Sequence, residues 1–171
     1  SLIVSKDWRN CMKAKHYFPM FIDLSDKNIV VAGGGNIGTR RVNTLLKFTR
    51  NIKVVAPKVT PQLLELGKTG KVELCMRPVK RSDFKEAYMV IAATSDWKLN
   101  DEIYRVCKAE GIYVNVASDR DSCDFYFPGI YMRDEIVVGV TASGLDHRKA
   151  RRVREEIQKA LDRVWEEPDE E

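Results

Sequence analysis

Residues 29–38 read IVVAGGGNIG, and this stretch decides the fold class. Its first four residues are apolar, which is typical of a buried strand, and the glycines that follow interrupt such a strand. Apolar residues then recur at helical spacing between residues 37 and 48. A strand, a glycine-rich loop and a helix in direct succession are the context in which such glycines indicate dinucleotide binding.

Three glycines of this loop, Gly33, Gly35 and Gly38, fit the G-x-G-x-x-G pattern. The first glycine of that pattern allows a tight turn, the second lets the backbone approach a pyrophosphate, and the third lets helix and strand pack closely. The amides at the start of the helix then point at the phosphates. We therefore expect Asn36 and Ile37 to bind the cofactor together with the three glycines. A glycine-rich turn without a ligand is the alternative.

The predicted second strand, residues 52–56, ends without the acidic residue that usually binds the ribose hydroxyls in such folds. Pro57 and Lys58 follow it directly. We expect Ala56 and Pro57 to line the cofactor site. The missing carboxylate leaves the choice between NAD and NADP open on physical grounds, and the charge of Lys58 would favour a 2′-phosphate.

Two hydroxyl residues, Thr94 and Ser95, follow a continuous apolar run at residues 88–93. Such a run predicts another buried strand, and ligands of open α/β sheets bind beyond the carboxyl ends of the strands. Thr94 and Ser95 are therefore candidates for contacts to the cofactor. Capping of the next helix by Thr94, Ser95 or Asp96 explains the same residues equally well.

Strand and helix patterns alternate as far as residue 116, which predicts an α/β fold of the Rossmann type, a mostly parallel sheet with helices on both faces. The pattern then changes to a β-hairpin and a C-terminal amphipathic helix. The predicted strands are residues 29–32, 52–56, 71–76, 88–93 and 112–116, the hairpin comprises residues 125–127, 130–132 and 135–140, and the predicted helices are residues 37–48, 62–66, 99–110 and 150–164.

These patterns divide the chain into four segments. They are an N-terminal arm at residues 1–18, an NAD(P)-binding Rossmann domain at 19–117, a hairpin and helix for dimerisation or substrate binding at 118–165, and an acidic tail at 166–171. The composition of the tail predicts disorder.

Composition indicates an ordinary globular protein, with 44% hydrophobic and 32% charged residues among 171. We find no apolar run long enough to span a membrane and no signal-peptide pattern, so we expect a cytoplasmic protein without a membrane partner. The net charge of +4 is compatible with an anionic small molecule and gives no reason to expect nucleic acid. Four scattered cysteines predict reduced thiols rather than disulfides or a metal site, namely Cys11, Cys75, Cys107 and Cys123.

Longer stretches of the sequence resemble a known family. Four segments occur in the order typical of the precorrin-2 dehydrogenase and sirohydrochlorin ferrochelatase family, which makes sirohaem: PMFIDLSDKNIVVAGGGNIGTRR (19–41), VVAPKVTPQL (54–63), VIAATSD (90–96) and VNVASDRDSCDFYFPGI (114–130). The resemblance runs from residue 17 to residue 161. It implies NAD-dependent oxidation of precorrin-2 to sirohydrochlorin, insertion of ferrous iron in bifunctional members, and a homodimer with the tetrapyrrole near the dimer interface.

The resemblance also implies where the substrate chemistry lies. The family typically has an asparagine, two apolar residues and then an aspartate implicated in both activities; here Asn115 matches the asparagine, and Ser118 replaces the aspartate, with Asp119 next to it. We therefore take Asn115 as a substrate contact and Ser118 and Asp119 as catalytic candidates. For the aspartates that crowd this loop, Asp119, Asp121 and Asp124, turn formation is the alternative to proton transfer. Since a serine hydroxyl is a poor base, we expect oxidation to survive while iron insertion is weak or absent. Asp119 can substitute only if the preceding strand has already ended, because successive strand side chains point to opposite faces.

A dense basic stretch at residues 148–154 begins the last predicted helix. The substrate that the resemblance implies carries many carboxylates, and such groups attract cationic side chains. We therefore expect Arg148 and Arg151 to bind substrate. A solvated helix face is the alternative for any single residue, and nucleic-acid phosphates are a rival ligand for the cluster.

Two other functions compete with precorrin-2 oxidation. The first is a catalytically weakened NAD(P)- or tetrapyrrole-binding protein that acts with a partner, which the substituted aspartate favours. The second is an unrelated NAD(P)-dependent reductase, since a fold does not determine function.

Overall fold

The computed structural model describes residues 17–143 and 145–166, and the chain divides into two compact units. Phe21–Phe125 form the first, which we call the sheet unit. The described residues on either side, 17–20 and those from Tyr126 onward, form the hairpin–helix unit. The predicted arm lies mostly outside the described residues, as does nearly all of the predicted disordered tail.

The sheet unit contains one five-stranded parallel sheet with the strand order β3-β2-β1-β4-β5. Its strands are β1 (Ile29–Gly34), β2 (Ile52–Val59), β3 (Glu73–Cys75), β4 (Met89–Ala92) and β5 (Tyr113–Val116). Its helices are α1 (Asn36–Leu45), α2 (Pro61–Lys68) and α3 (Trp97–Glu110), with a 3₁₀ turn at Arg81–Phe84. Crossovers between parallel strands are right-handed as a rule, and for this strand order the rule puts α1 and α2 on one face of the sheet and α3 on the other. The predicted Rossmann-type fold is confirmed.

The core of the sheet unit lies on both faces of the central strands. Val31 of β1, Ile91 of β4 and Val114 of β5 have no exposed surface, since parallel strands covered by helices on both sides are apolar throughout. Helix α3 adds Ile103 and Cys107 to this core. Within the described ranges, no helix is both long and apolar enough to cross a bilayer.

The hairpin–helix unit consists of β6 (Gly129–Arg133), β7 (Ile136–Val140) and a twenty-residue helix α4 (His147–Glu166). The two strands pair antiparallel, and Asp134 in the turn between them has a positive φ of 50°. The hydroxyl of Tyr131 on β6 donates to Asp162 Oδ1 of α4 over 2.7 Å.

One sequence-based expectation about this hairpin is wrong. The sequence predicts residues 125–127 as part of the hairpin, but β6 begins only at Gly129. The carbonyl of Phe125 accepts a hydrogen bond from the side chain of Asn115. Pro128, which has no amide hydrogen, then precedes the strand.

Candidate functional site

The glycine-rich loop joins β1 to α1 at the point where the strand order reverses, which is where doubly wound sheets bind ligands. Gly33 has a φ of 119°, and a Cβ there would lie 2.3 Å from the carbonyl oxygen of Ala93. A Cβ on Gly38 would lie 2.3 Å from the carbonyl oxygen of Gly33. Both glycines are therefore required by the fold itself, the first by the turn and the second by the close approach of α1 to the loop.

Gly35 differs from the other two glycines because nothing in the protein requires it. Its φ is −79°, which any residue adopts, and a Cβ built on it meets no atom within 4 Å. It occupies the N-cap position of α1, where no side chain caps the first amides of the helix. Asn36 and Ile37 beside it are exposed. This open space at a helix N-terminus fits a pyrophosphate group.

The end of β2 lies next to this loop, since β2 pairs with β1. Ala56 is buried, whereas Pro57 and Lys58 are exposed. Beyond them, Thr60 caps α2 by accepting a hydrogen bond from the Leu63 amide, and its hydroxyl lies 2.7 Å from that of Thr39 on α1. Ala56 and Pro57 thus belong to the strand that pairs with β1, and their contact with a cofactor stays a prediction.

A groove of about 640 Å³ runs between α1 and α2 beside the glycine loop. Arg40 and Lys47 line it and none of its lining residues is acidic. Asn36 forms the end of the groove nearest the loop. The groove is therefore electrostatically suited to an anionic group, such as a phosphate.

The loop after β4 holds Thr94 and Ser95, and here the structure shows which residue caps the next helix. Asp96 is the cap of α3, because its carboxylate accepts hydrogen bonds from the amides of Lys98 and Leu99. Ser95 is exposed and Thr94 half-buried. Capping therefore explains Asp96, and contacts of Thr94 and Ser95 to a cofactor stay a prediction.

The most thoroughly bonded side chain at this edge of the sheet, Asn100, was missed by sequence reasoning. Only 1% of Asn100 is exposed, although it is polar and lies in a helix. Its amide group contacts Thr94 on one side and the Ser118 hydroxyl, 3.3 Å away, on the other. A signal was present, since Asn100, Ile103 and Cys107 share one helical face at i, i+3 and i+7.

The two catalytic candidates follow β5, which ends at Val116. Both Ser118 and Asp119 are exposed. Asp119, however, closes a turn by accepting hydrogen bonds from the Asp121 amide and, over 2.6 Å, from the Ser122 hydroxyl. These bonds, that of Ser122 first, lower the pKa of Asp119 below its ordinary value. The strand has ended before Asp119. The Asp119 carboxylate, however, accepts the hydrogen bonds of the turn, and these bonds make it a weaker base.

Asn115 is buried in β5, with 3% of its surface exposed. Its Nδ2 donates to the carbonyl of Phe125 over 2.8 Å and to Cys123 Sγ over 3.4 Å. Its Oδ1 has no hydrogen-bond partner among the described residues. A buried acceptor without a partner costs free energy. The predicted substrate contact of Asn115 stays a prediction.

Arg148 and Arg151 lie in the first turns of α4, in the hairpin–helix unit. Both are exposed, and Arg151 Nε pairs with Glu155 Oε1 one turn later, over 2.8 Å. Arg148 lines a shallow cavity of about 920 Å³ along α4. In the described part of the chain, no group of three or more His, Cys, Asp or Glu side chains is arranged to hold a metal ion.

Comparison with known families identifies the sheet unit. Residues 20–129 match the model of a family described as putative NAD(P)-binding. The chain belongs to this family. A nicotinamide dinucleotide is thus the cofactor class, in agreement with the glycine-rich loop.

Individual relatives of this chain have names that are more specific than the description of the family. The chain is 41% identical over 143 residues to a probable multifunctional siroheme biosynthesis protein HemA of Ruminiclostridium josui. This match covers 83% of this chain and 28% of that protein. It is 36% identical over 146 residues to a siroheme synthase of Actinobacillus succinogenes, covering 85% of this chain and 31% of that protein. The resemblance inferred from the sequence motifs is confirmed. The chain spans about a third of the length of these curated relatives.

A solved structure shares the fold. It is named SirC, precorrin-2 dehydrogenase, and superposes with a TM-score of 0.74 over 84% of this chain and 70% of that chain, at 23% sequence identity. At this identity the likeness establishes the fold alone.

Proposed function

We propose that this chain oxidises precorrin-2 to sirohydrochlorin with NAD as the hydride acceptor, as a step of sirohaem synthesis. The observation that carries the proposal is the open space above Gly35 at the start of α1, in a chain related to siroheme synthases. The name of the structural neighbour, a precorrin-2 dehydrogenase, supports the same substrate.

The bound cofactor would supply the acceptor for the hydride, so the protein has to bind and orient it. Gly33, Gly35 and Gly38 admit the pyrophosphate, and the N-terminal amides of α1 bind it. Thr94 and Ser95, at the carboxyl end of β4, contact the nicotinamide side. The oxidation also releases a proton, which water accepts, since Asp119 is already engaged in a turn.

NAD is the cofactor that we propose, with NADP as the competitor to be tested beside it. The missing acid at the end of β2 and the exposed charge of Lys58 permit a 2′-phosphate without repulsion. The resemblance implies NAD-dependent oxidation, and this supports NAD as the proposed cofactor.

The same reasoning limits the second activity of the family. Iron insertion requires the removal of two pyrrole protons, and the position of the family aspartate is occupied by Ser118. A serine hydroxyl is a poor base near neutral pH. We therefore propose that iron insertion is weak or absent in this chain.

We further propose a cytoplasmic homodimer whose tetrapyrrole carboxylates are bound by Arg148 and Arg151. Val153 and Val164 of α4 are 43% and 63% exposed, so apolar residues of the hairpin–helix unit are available for a second copy. The arginines supply the charge that the carboxylates of the substrate require.

The decisive experiment mixes the protein with precorrin-2 and NAD and follows the absorption spectrum. We expect conversion to sirohydrochlorin that requires the dinucleotide and is faster with NAD than with NADP. A parallel reaction without dinucleotide is the control. Tight binding of NAD or of the tetrapyrrole without turnover would instead favour a weakened binding protein, the alternative that the engaged Asp119 carboxylate supports.

A further inference from the structure

The side-chain amide of Asn100 has one orientation, because one of its partners can only donate a hydrogen bond and another can only accept one. The backbone amide of Thr94 donates to Oδ1 over 3.2 Å, and the backbone carbonyl of Thr94 accepts from Nδ2 over 3.1 Å. An amide hydrogen is always a donor and a carbonyl oxygen always an acceptor. Exchanging the Oδ1 and Nδ2 positions would therefore break both bonds.

This orientation determines what the Ser118 hydroxyl can do. The second hydrogen of Asn100 Nδ2 points to Ser118 Oγ, 3.3 Å away, so the hydroxyl oxygen is the acceptor in that bond. A hydroxyl has one hydrogen of its own and donates it elsewhere. Because Ser118 is exposed at the carboxyl edge of the sheet, that hydrogen is available to a ligand.

We propose that Asn100 is a positioning residue that holds Ser118 as a hydrogen-bond donor to a carboxylate of the bound tetrapyrrole. This inference rests on the proposed function for the identity of the ligand. The family resemblance places an aspartate, a hydrogen-bond acceptor, at this position. In this chain the same position presents a donor, so it contacts an acceptor group of the substrate and removes no proton.

The network also connects the two halves of the site. Asn100 binds Thr94, a predicted cofactor contact in the loop after β4, and Ser118 in the loop after β5, and these two loops follow neighbouring strands. A change at Asn100 therefore reaches both loops, whereas a change at Ser118 leaves the bonds between Asn100 and Thr94 in place. This difference separates positioning from a merely structural role.

The test compares four variants with the parent protein: Ser118→Ala, Ser118→Thr, Asn100→Asp and the double variant Asn100→Asp with Ser118→Ala. Asn100→Asp replaces the donor by an acceptor, so the Ser118 hydrogen turns towards residue 100 and is withdrawn from the ligand. The matched controls are Ser82→Ala, in the exposed part of the 3₁₀ turn, and Asn51→Asp, exposed directly before β2. Asn51 donates one side-chain bond, to the Ser25 carbonyl.

The measured quantity is the dissociation constant for sirohydrochlorin, obtained by absorption titration, with that for NAD beside it. We expect Ser118→Ala to weaken sirohydrochlorin binding about tenfold, as for the loss of one charge-assisted hydrogen bond, and Ser118→Thr to stay within about twofold. Asn100→Asp should weaken binding to a similar extent, and the double variant little further, because coupled residues are not additive. NAD binding should change in Asn100→Asp but not in Ser118→Ala.

Side-chain amide exchange, measured by NMR on the parent and on Ser118→Ala, keeps the test valid if Asn100→Asp does not fold. We expect slow exchange of both Asn100 Nδ2 hydrogens in the parent and faster exchange of one of them in Ser118→Ala. Binding by the parent without oxidation of precorrin-2 would refute the proposed function and leave the donor role supported by the Ser118→Ala constant. Unweakened binding by Ser118→Ala, or no binding by the parent, would overturn the donor role whether or not oxidation is seen.

Discussion

The sheet unit and the hairpin–helix unit bury their apolar residues to very different extents. Every strand of the parallel sheet contributes at least partly buried residues, and β1 and β4 are buried along their whole length. In the hairpin–helix unit, Tyr131 is the one buried apolar residue among those described, and no residue of α4 is buried. The first unit thus forms a core from its own residues. The second unit keeps apolar side chains exposed, and these are available for contact with another surface.

The difference suggests that cofactor binding and substrate binding depend on different features of the protein. The cofactor loop is held by backbone contacts inside the sheet unit, as the close packing of Gly33 against Ala93 illustrates. The arginines proposed for the substrate lie on a helix that still exposes apolar surface. We therefore expect cofactor binding to need only the single chain and substrate binding to depend on association.

The largest expected effect concerns the cores themselves. Ile91→Ala removes a fully buried side chain from β4 and should lower the free energy of unfolding by about 2–5 kcal/mol. Val164→Ala, at a position 63% exposed on α4, should change it by less than about 0.5 kcal/mol at high dilution. Urea titration followed by circular dichroism measures both. Equal losses would show that the two units are not packed as differently as described.

A charge on the exposed face of α4 should shift the oligomeric state. Val153 is 43% exposed in the single chain, and Val153→Glu would place a carboxylate in the proposed interface between copies. We expect a dimer for the parent and mostly monomer for the variant, by light scattering at matched concentrations. Lys159→Glu, which alters an exposed and already charged position on the same helix, is the control.

A parent that remains monomeric at high concentration would refute the homodimer. Dimers that persist in Val153→Glu would place the interface elsewhere on the chain.

The two units should also differ in the pH at which they lose stability. The bond from Arg77 lowers the pKa of Asp83 in the sheet unit, so this stabilisation is present above the ordinary pKa and is lost as the pH falls through the lowered value. The bond to Asp162 raises the pKa of Tyr131 in the hairpin–helix unit, so its stabilisation is lost as the pH rises through the raised value.

Melting temperatures of two variants across the pH range measure these contributions. Asp83→Asn should reduce the acid dependence and Tyr131→Phe the alkaline dependence, each by a small amount. An unchanged acid dependence in Asp83→Asn, or an unchanged alkaline dependence in Tyr131→Phe, would mean that the corresponding hydrogen bond does not form as described.

Most of the sheet unit was predictable from the sequence because its signals are local. Four apolar residues and a glycine-rich loop specify β1 and the start of α1, and the predicted first residue of β1 agrees with the structure. The predicted strand at residues 71–76 shortens to Glu73–Cys75, an edge strand with one neighbour. The local pattern cannot reveal how many neighbours a strand has.

The candidate site was less predictable because its contacts join distant residues. Asn100 in α3 and Ser118 after β5 are separated by eighteen positions, and the pairing of β4 with β5 helps to bring them together. The turn that engages Asp119 depends on Ser122, which no motif singled out. The roles of Asn115, Arg148 and Arg151 came from resemblance and charge, and they stay predictions.

The central claim is that a dinucleotide binds across the open space above Gly35. Calorimetric titration of NAD into the Gly35→Val variant tests it most directly. The φ of −79° and the empty surroundings of Gly35 allow a valine there without strain in the folded protein. Gly139→Ala, whose added Cβ makes only ordinary contacts with Pro128, is the matched control. We predict that Gly35→Val folds like the parent but binds NAD at least about tenfold more weakly, since its side chain occupies the place of the pyrophosphate. A folded Gly35→Val that binds NAD as tightly as the parent would contradict the account.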